Sequence, residues 1–295
     1  MLLEHAIAGF WKRSLAFIID LILVGIIGFC IVLLLGDFYY RHPVLLSLLG
    51  YLLTLPYFMI GDSYILQGQT LGKKLLNINV ATADQKFLSL KQAFIRSSIL
   101  LLIFCFNTLH FYIENEILRL SIQTFLAVLA ATFGYLYIFN RHTRQTLHDL
   151  LVKSYVFDQK SPVTEVEKIW KYHYLFLVIF IGLNITGIVV PYQESRVDPV
   201  AIKVNQLFAH SKDILQIKTG KYSSKGTPIH TLQFIVPNPD LVNSSEFEQY
   251  VHSTLQTQMP ELFTGQQRVE MQFFSGAQFG IYYQYFSKWV KPEEI

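Results

Sequence analysis

Asp20 lies inside an apolar run, Ser14 to Leu35. At about 22 residues that run is long enough to cross a bilayer core as a helix. A carboxylate at the centre of such a helix costs roughly 2.5–3.5 kcal/mol on insertion scales, so its face should turn toward protein, water or a partner charge. Arg13 stands two helical turns earlier on the same face, about 10 Å away along the axis. An acid so placed can take up a proton or a cation, or pair with a base. Further along, His148-Asp149 sets an imidazole that titrates near neutrality beside a carboxylate. That is the makeup of a proton-exchanging pair, and equally of a surface or capping arrangement. The stretch Gly68-Gln69-Thr70-Leu71-Gly72-Lys73-Lys74 invites a phosphate-loop reading and fails it. That loop needs four residues between its glycines and Ser or Thr after the lysine, so these glycines read as turn residues.

The elements that must position these residues are membrane helices. Of 295 residues, 52% are hydrophobic and 15% charged, against about 25% charged in soluble domains. Apolar runs of spanning length occur at about 14–35, 44–60, 94–113, 118–139 and 172–190. The second carries Pro56 near its end, the third begins with Arg96, and Trp170, Tyr172 and Tyr174 form an interfacial belt before the fifth. The first run is too long for a signal peptide and lacks a small-residue cleavage site, so it is expected to be retained. Thirteen Lys and Arg fall in the N-terminal segment and the 61–96 and 140–171 connections, against Arg41 and Arg119 in the other two. This places the N-terminus in the cytoplasm, and five spans put the C-terminal region outside it.

The 61–92 connection reads as two short strands around a turn at Ala83-Asp84-Gln85, and VKSYVF after the amphipathic TRQTLHDLL can pair with them. Residues 158–171 read as a cytoplasmic linker. Residues 195–295 read as a small α+β domain with an antiparallel sheet, a helix starting at Asp198-Pro199 and a final hairpin turning near Ser275-Gly276. Alternation along that hairpin puts aromatics on both faces, one for a core and one for a partner or the membrane. Cys30 and Cys105 sit in apolar runs, so no disulfide framework or metal cluster is expected. The sequence shows no nucleophile set, paired-carboxylate site or basic aromatic patch. Neither enzyme chemistry, a cofactor nor nucleic acid is expected.

Three pieces in order resemble the RDD family of membrane proteins. They are Gly9-Phe10-Trp11-Lys12-Arg13 through Asp20, the Gly68 to Leu76 loop with Asn79-Val80, and Arg144-Gln145-Thr146-Leu147-His148-Asp149-Leu150. The resemblance covers about residues 5–157, with Leu71 where the family usually has Pro. Its one arginine and two aspartates fall on Arg13, Asp20 and Asp149, and Arg96 also fits. The expected fold is an all-α polytopic membrane domain over 1–157, a four-helix RDD-like core plus a fifth span, followed by a small α+β extracytoplasmic domain. Arg13, Asp20, Arg96, His148 and Asp149 can converge at one interface, where opposite charges offset desolvation. Asp20 then acts as a cation or proton acceptor tuned by the arginines, or the set is a structural ion-pair cluster. The resemblance implies a transporter or transporter subunit, with cation/proton exchange. The alternative is a non-catalytic membrane scaffold or assembly factor that holds a protein partner through its outer domain. The bilayer is a partner in either case, in the cell (inner) membrane. Four core spans are few for a pathway, which points to a homo-oligomer or a larger membrane complex.

Overall fold

A computed structural model describes residues 6–36, 38–113, 115–160, 169–224, 227–263 and 268–290. In chain order its elements are β1 (Ala6–Ile7), α1 (Phe10–Leu35), α2 (Phe38–Arg41), α3 (Pro43–Asp62), α4 (Leu71–Leu75), β2 (Ile78–Thr82), α5 (Leu90–Cys105), α6 (Glu116–Phe139), α7 (Leu147–Val152), β3 (Ser154–Asp158) and α8 (Tyr172–Val197). Then follow α9 (Pro199–Leu207), β4 (Gln216–Ser224), β5 (Thr227–Ile235), α10 (Pro239–Val242), α11 (Ser245–Gln258), β6 (Arg268–Phe279) and β7 (Tyr282–Val290).

Four helices are long and apolar enough to cross a membrane: Phe10–Leu35, Pro43–Asp62, Glu116–Phe139 and Tyr172–Glu194. The run expected as a third span, 94–113, does not form one long helix. A capping box between Ser89 and Gln92 starts α5 earlier, and α5 stops at Cys105 after 16 residues. At 1.5 Å per residue it spans about 24 Å, less than the roughly 30 Å of a bilayer core. The expected set of five spans therefore becomes four candidates and one shorter helix packed along α3.

The bundle is not purely helical. At one end, here the near end, β2 and β1 flank β3, both antiparallel to it. The pairing expected of residues 152–157 is present from Ser154 onward. The second strand expected after Ala83 is not, because residues 85–87 run without regular pairing and Leu88 makes only an isolated bridge to Ser63. Ala8, Ala16, Ile78, Val80, Leu88 and Val156 form a small core that joins this sheet to the helices. Most of the expected linker, 161–168, lies outside the described residues.

The C-terminal region has a four-stranded sheet in the order β4-β5-β6-β7. Asp198 caps α9 ahead of Pro199, as the sequence predicts. The sheet is mixed rather than antiparallel, since β5 and β6 run parallel. The intervening chain includes α11, the kind of long connection that parallel neighbours require. Phe208, Phe247, Val251 and Leu255 cover one face, against Leu232, Phe234, Met271 and Phe273.

The last hairpin does not turn at Ser275-Gly276. β6 runs on to Phe279 and the chain reverses at Gly280-Ile281, with Gly280 at φ 57°. The added length carries the tip into the far end of the bundle. A Cβ on Gly50 of α3 would collide with the Gly280 backbone, and one on Gly28 of α1 would come 2.9 Å from Tyr282 Cβ. Each glycine lies seven residues from the far end of its helix, so the tip reaches about 10 Å into the bundle. Its polar groups find partners there, which burial in an apolar setting demands. Tyr39 Oη donates to the Ala277 carbonyl at 2.6 Å. Tyr112 Oη donates to the Gly276 carbonyl. The Thr108 amide and hydroxyl both donate to Gln278 Oε1 at 3.3 Å. The Gln278 amide donates to the Phe104 carbonyl in the last turn of α5, which lacks an intrahelical partner. The hairpin thus occupies height that α5 does not reach.

Candidate functional site

Along α1 the buried positions are Arg13, Ala16, Asp20, Val24, Gly28 and Val32, the spacing of one helix face. Asp20 is fully buried. Its carboxylate accepts from Tyr57 Oη and from Thr70 Oγ1, each at 2.5 Å, and from the Gly72 amide at 2.8 Å. Both hydroxyls are themselves acceptors: Tyr57 from the Leu71 amide at 3.3 Å and Thr70 from the Lys73 amide at 3.4 Å. Their protons are therefore aimed at Asp20.

The glycine-containing loop makes this possible. Thr70 caps α4. Gly72 lies so close to α1 that a Cβ would run into the Ala16 carbonyl oxygen, and Gly68, at φ 71°, abuts the Val80 carbonyl. Gln69 Nε2 donates to the Ile78 carbonyl at 3.0 Å and ties the loop to β2. The loop thus brings backbone and hydroxyl donors onto Asp20, a role unrelated to phosphate.

The expected proximity of Asp20 to an arginine does not take the form of a pair. Arg13 turns the other way, donating to the Arg144 carbonyl and placing Nη2 3.1 Å from Asp149 Oδ2. Arg96 joins two acids. Its Nε and Nη2 reach Asp149 Oδ1 at 3.0 and 2.8 Å, and its Nη1 pairs with Asp62. Lys73 is the second partner of Asp62. Asp149 also accepts from the Thr146 amide at 3.1 Å, closing the capping box of α7, and from Ser154 Oγ at 3.2 Å. His148 stacks on Phe133 with ring centres 5.0 Å apart. Its Nδ1 is 2.9 Å from Thr146 Oγ1, and its Nε2 is 3.4 Å from Asp149 Oδ1.

Burial works against a charge on Asp149, yet His148, Arg96, Arg13 and the Thr146 amide hold its carboxyl well below the usual carboxylate range. Burial pushes the His148 imidazole down to about 3, with Asp149 only partly opposing it. Burial also lowers Lys73, again partly offset by Asp62. The result is a compact network in which Asp20, Asp62 and Asp149 face Arg13, Lys73 and Arg96, with a neutral imidazole beside them.

Above this network lies a cavity of ≈ 360 Å³ between α1, α3, α5 and α6. Its floor includes Arg13, Asp20, Lys73, Arg96 and His148, and Phe17, Phe58, Leu100, Phe104, Ala130 and Phe133 contribute to its walls. The sequence-predicted residues Arg13, Asp20, Arg96, His148 and Asp149 thus come together, as does the loop from Gly68 to Lys73. Asp62 and Tyr57 escaped the sequence reading. Asp62 ends the second apolar run, two residues past the expected boundary of the span, and that placement is the signal that could have found it.

Compared with known families, residues 7–153 match the RDD family. This half of the chain is an RDD domain. Neither a curated protein nor a solved structure matches the chain. Every charged residue of the network lies within the RDD domain, whereas α8 and the α+β region lie beyond it. The chain is a multi-pass membrane protein with four candidate spans. The hairpin that enters the far end of the RDD domain is supplied from outside it.

Proposed function

We propose that this RDD protein is a transporter or transporter subunit in the cytoplasmic membrane, its near end in the cytoplasm and its α+β domain outside. The concentration of Lys and Arg in the near-end connections supports that orientation. The observation that carries the transport reading is the cavity, held at membrane depth over a charged floor. On its far side Val24, Leu55, Phe58, Leu101 and Cys105 pack together, and Ile281 of the hairpin turn packs onto them. The cavity is in this way bounded toward the outside.

The family resemblance implies cation/proton exchange. The lining favours a larger cargo. Each of the three carboxylates already accepts from protein donors, and the walls above them are apolar. Such a space suits a solute with an apolar part and a polar head. Proton coupling falls to Lys73, which is partly exposed with a side chain 12% accessible, lines the cavity and has its ammonium destabilised by desolvation.

The test uses the full chain in sealed vesicles, with two readouts: proton uptake driven by sodium or potassium gradients, and leaflet exchange of a fluorescent phosphatidylglycerol. Wild type should drive at least one of them, and Gly134→Phe, which adds a ring at the exposed edge of the cavity lining, should abolish it. A wild type inactive in both would favour the scaffold reading. That reading draws on β7, an edge strand on which Tyr285 and Trp289 are 60% and 57% exposed.

A further inference from the structure

We infer that the cavity is the apolar half of a binding site for an anionic phospholipid drawn from the cytoplasmic leaflet. This names a substrate class for the transport reading and rests on it for the lipid's fate. A second cavity of ≈ 350 Å³ opens beside the first, lined among others by Phe10, Arg13, Tyr137, Arg141 and Arg144. Arg13 and Tyr137 line both cavities, so the two are neighbours across one pair of side chains. Together they exceed the lower end of the range for ligand pockets, roughly 300–1,000 Å³.

The two halves differ in chemistry. The second cavity sits where α1 begins and α6 ends, and among the described residues no carboxylate lines it. Arg13 is already engaged by Asp149. Arg141 is exposed and Arg144 half-buried, and among the described residues neither forms an ion pair with an acid. Two guanidiniums at one mouth fit a phosphodiester, which guanidinium binds through paired hydrogen bonds. The first cavity offers Phe17, Leu100, Ala130 and Phe133, walls for an acyl chain.

The route between them is lateral. α6 meets α1 through Tyr137, whose hydroxyl is 2.7 Å from Ser14 Oγ and whose ring lies against Phe10 and Arg13. Deeper in, the exposed Gly134 is part of the cavity lining, and outside its own stretch of helix the position its Cβ would take has no atom within 4 Å. Flanking side chains such as Leu15 and Ile138 are exposed and apolar, so the mouth adjoins lipid. A small soluble anion would leave these walls empty. A zwitterionic lipid would leave the guanidiniums less well matched than an anionic one, and the cytoplasmic leaflet is the anionic one.

The experiment is native mass spectrometry of the full chain, released from micelles containing equal amounts of phosphatidylglycerol and phosphatidylcholine. Wild type should retain one phosphatidylglycerol, at least tenfold over phosphatidylcholine. Gly134→Phe should lower that retention at least tenfold, and Ala130→Phe on the same wall should do likewise. The Arg141→Gln/Arg144→Gln double variant should still bind lipid but lose the preference. Wild type that retains neither lipid, or both equally, overturns the inference without recourse to any variant. Full retention in both phenylalanine variants overturns the placement of the chain, and an unchanged preference in the double variant overturns that of the head. The readout is occupancy, so retention with neither lipid transfer nor cation-driven proton uptake in vesicles would remove the transport reading and leave this site standing. Transfer without preferential retention would do the reverse.

Discussion

Arg96 joins the two ends of the buried network. Replacing it with Ala leaves Asp62 with Lys73 and Asp149 with Arg13, each carboxylate short of one partner. Breaking a buried pair from one side costs about 3–5 kcal/mol, which a thermal melt in detergent should register as a large fall in Tm. Arg96→Lys should rescue little of it, since an ammonium cannot reproduce a forked contact with two acids. His148 provides a pH signature. Its folded pKa, about 3, lies below the ordinary 6.5. Between those values the unfolded chain binds a proton that the folded chain does not, so stability falls as pH drops through that window. Asp149, also depressed, adds its own loss below its ordinary value of 3.8. His148→Asn should flatten the decline in Tm between pH 7 and pH 4.5, and superimposable curves for the two proteins would refute this. The sequence exposed Arg13 and Asp20 because a single helix face brings them together. It grouped Arg13 with Asp149, its partner in the fold, but did not reveal the partners of Asp20. Tyr57 and Thr70 lie 37 and 50 positions from Asp20, and only the fold sets them against it.

Among the elements, glycines mark where backbones touch. Gly72→Ala would press a methyl against the Ala16 carbonyl, and overpacking of this kind costs about 1–3 kcal/mol. The same substitution at Gly50 would press on the hairpin tip. Hydrogen exchange at residues 276–283 should then accelerate at least tenfold while the near-end amides stay protected. Unchanged exchange at the tip would mean that the hairpin is not seated on α3. The long helices and strands β2 to β7 were legible from apolar runs and alternation, whereas β1 was not read and the strand expected after Ala83 does not form. The end of α5 was not, because Phe104 to Ile113 is apolar enough to pass for helix while its backbone turns to meet Gln278. The parallel pairing of β5 and β6 was also hidden, since alternation within a strand carries no information about which neighbour it chooses.

For the whole molecule, the cavity of the RDD domain lies between a charged near end and a far end that the α+β hairpin enters. The near end supplies the charged floor and the basic mouth, and the far end supplies a hairpin that packs against the apolar layer beyond the walls. The resemblance to the RDD family pointed to the first of these. Nothing in it pointed to the second, because the hairpin lies outside the matched residues. The most direct test of the cavity as the working site is leaflet exchange of fluorescent phosphatidylglycerol in vesicles, read by dithionite quenching, with wild type beside Gly134→Phe. A working cavity predicts exchange at least tenfold faster than in protein-free vesicles for wild type, and the protein-free rate for a folded Gly134→Phe. Exchange as fast in Gly134→Phe as in wild type would contradict it.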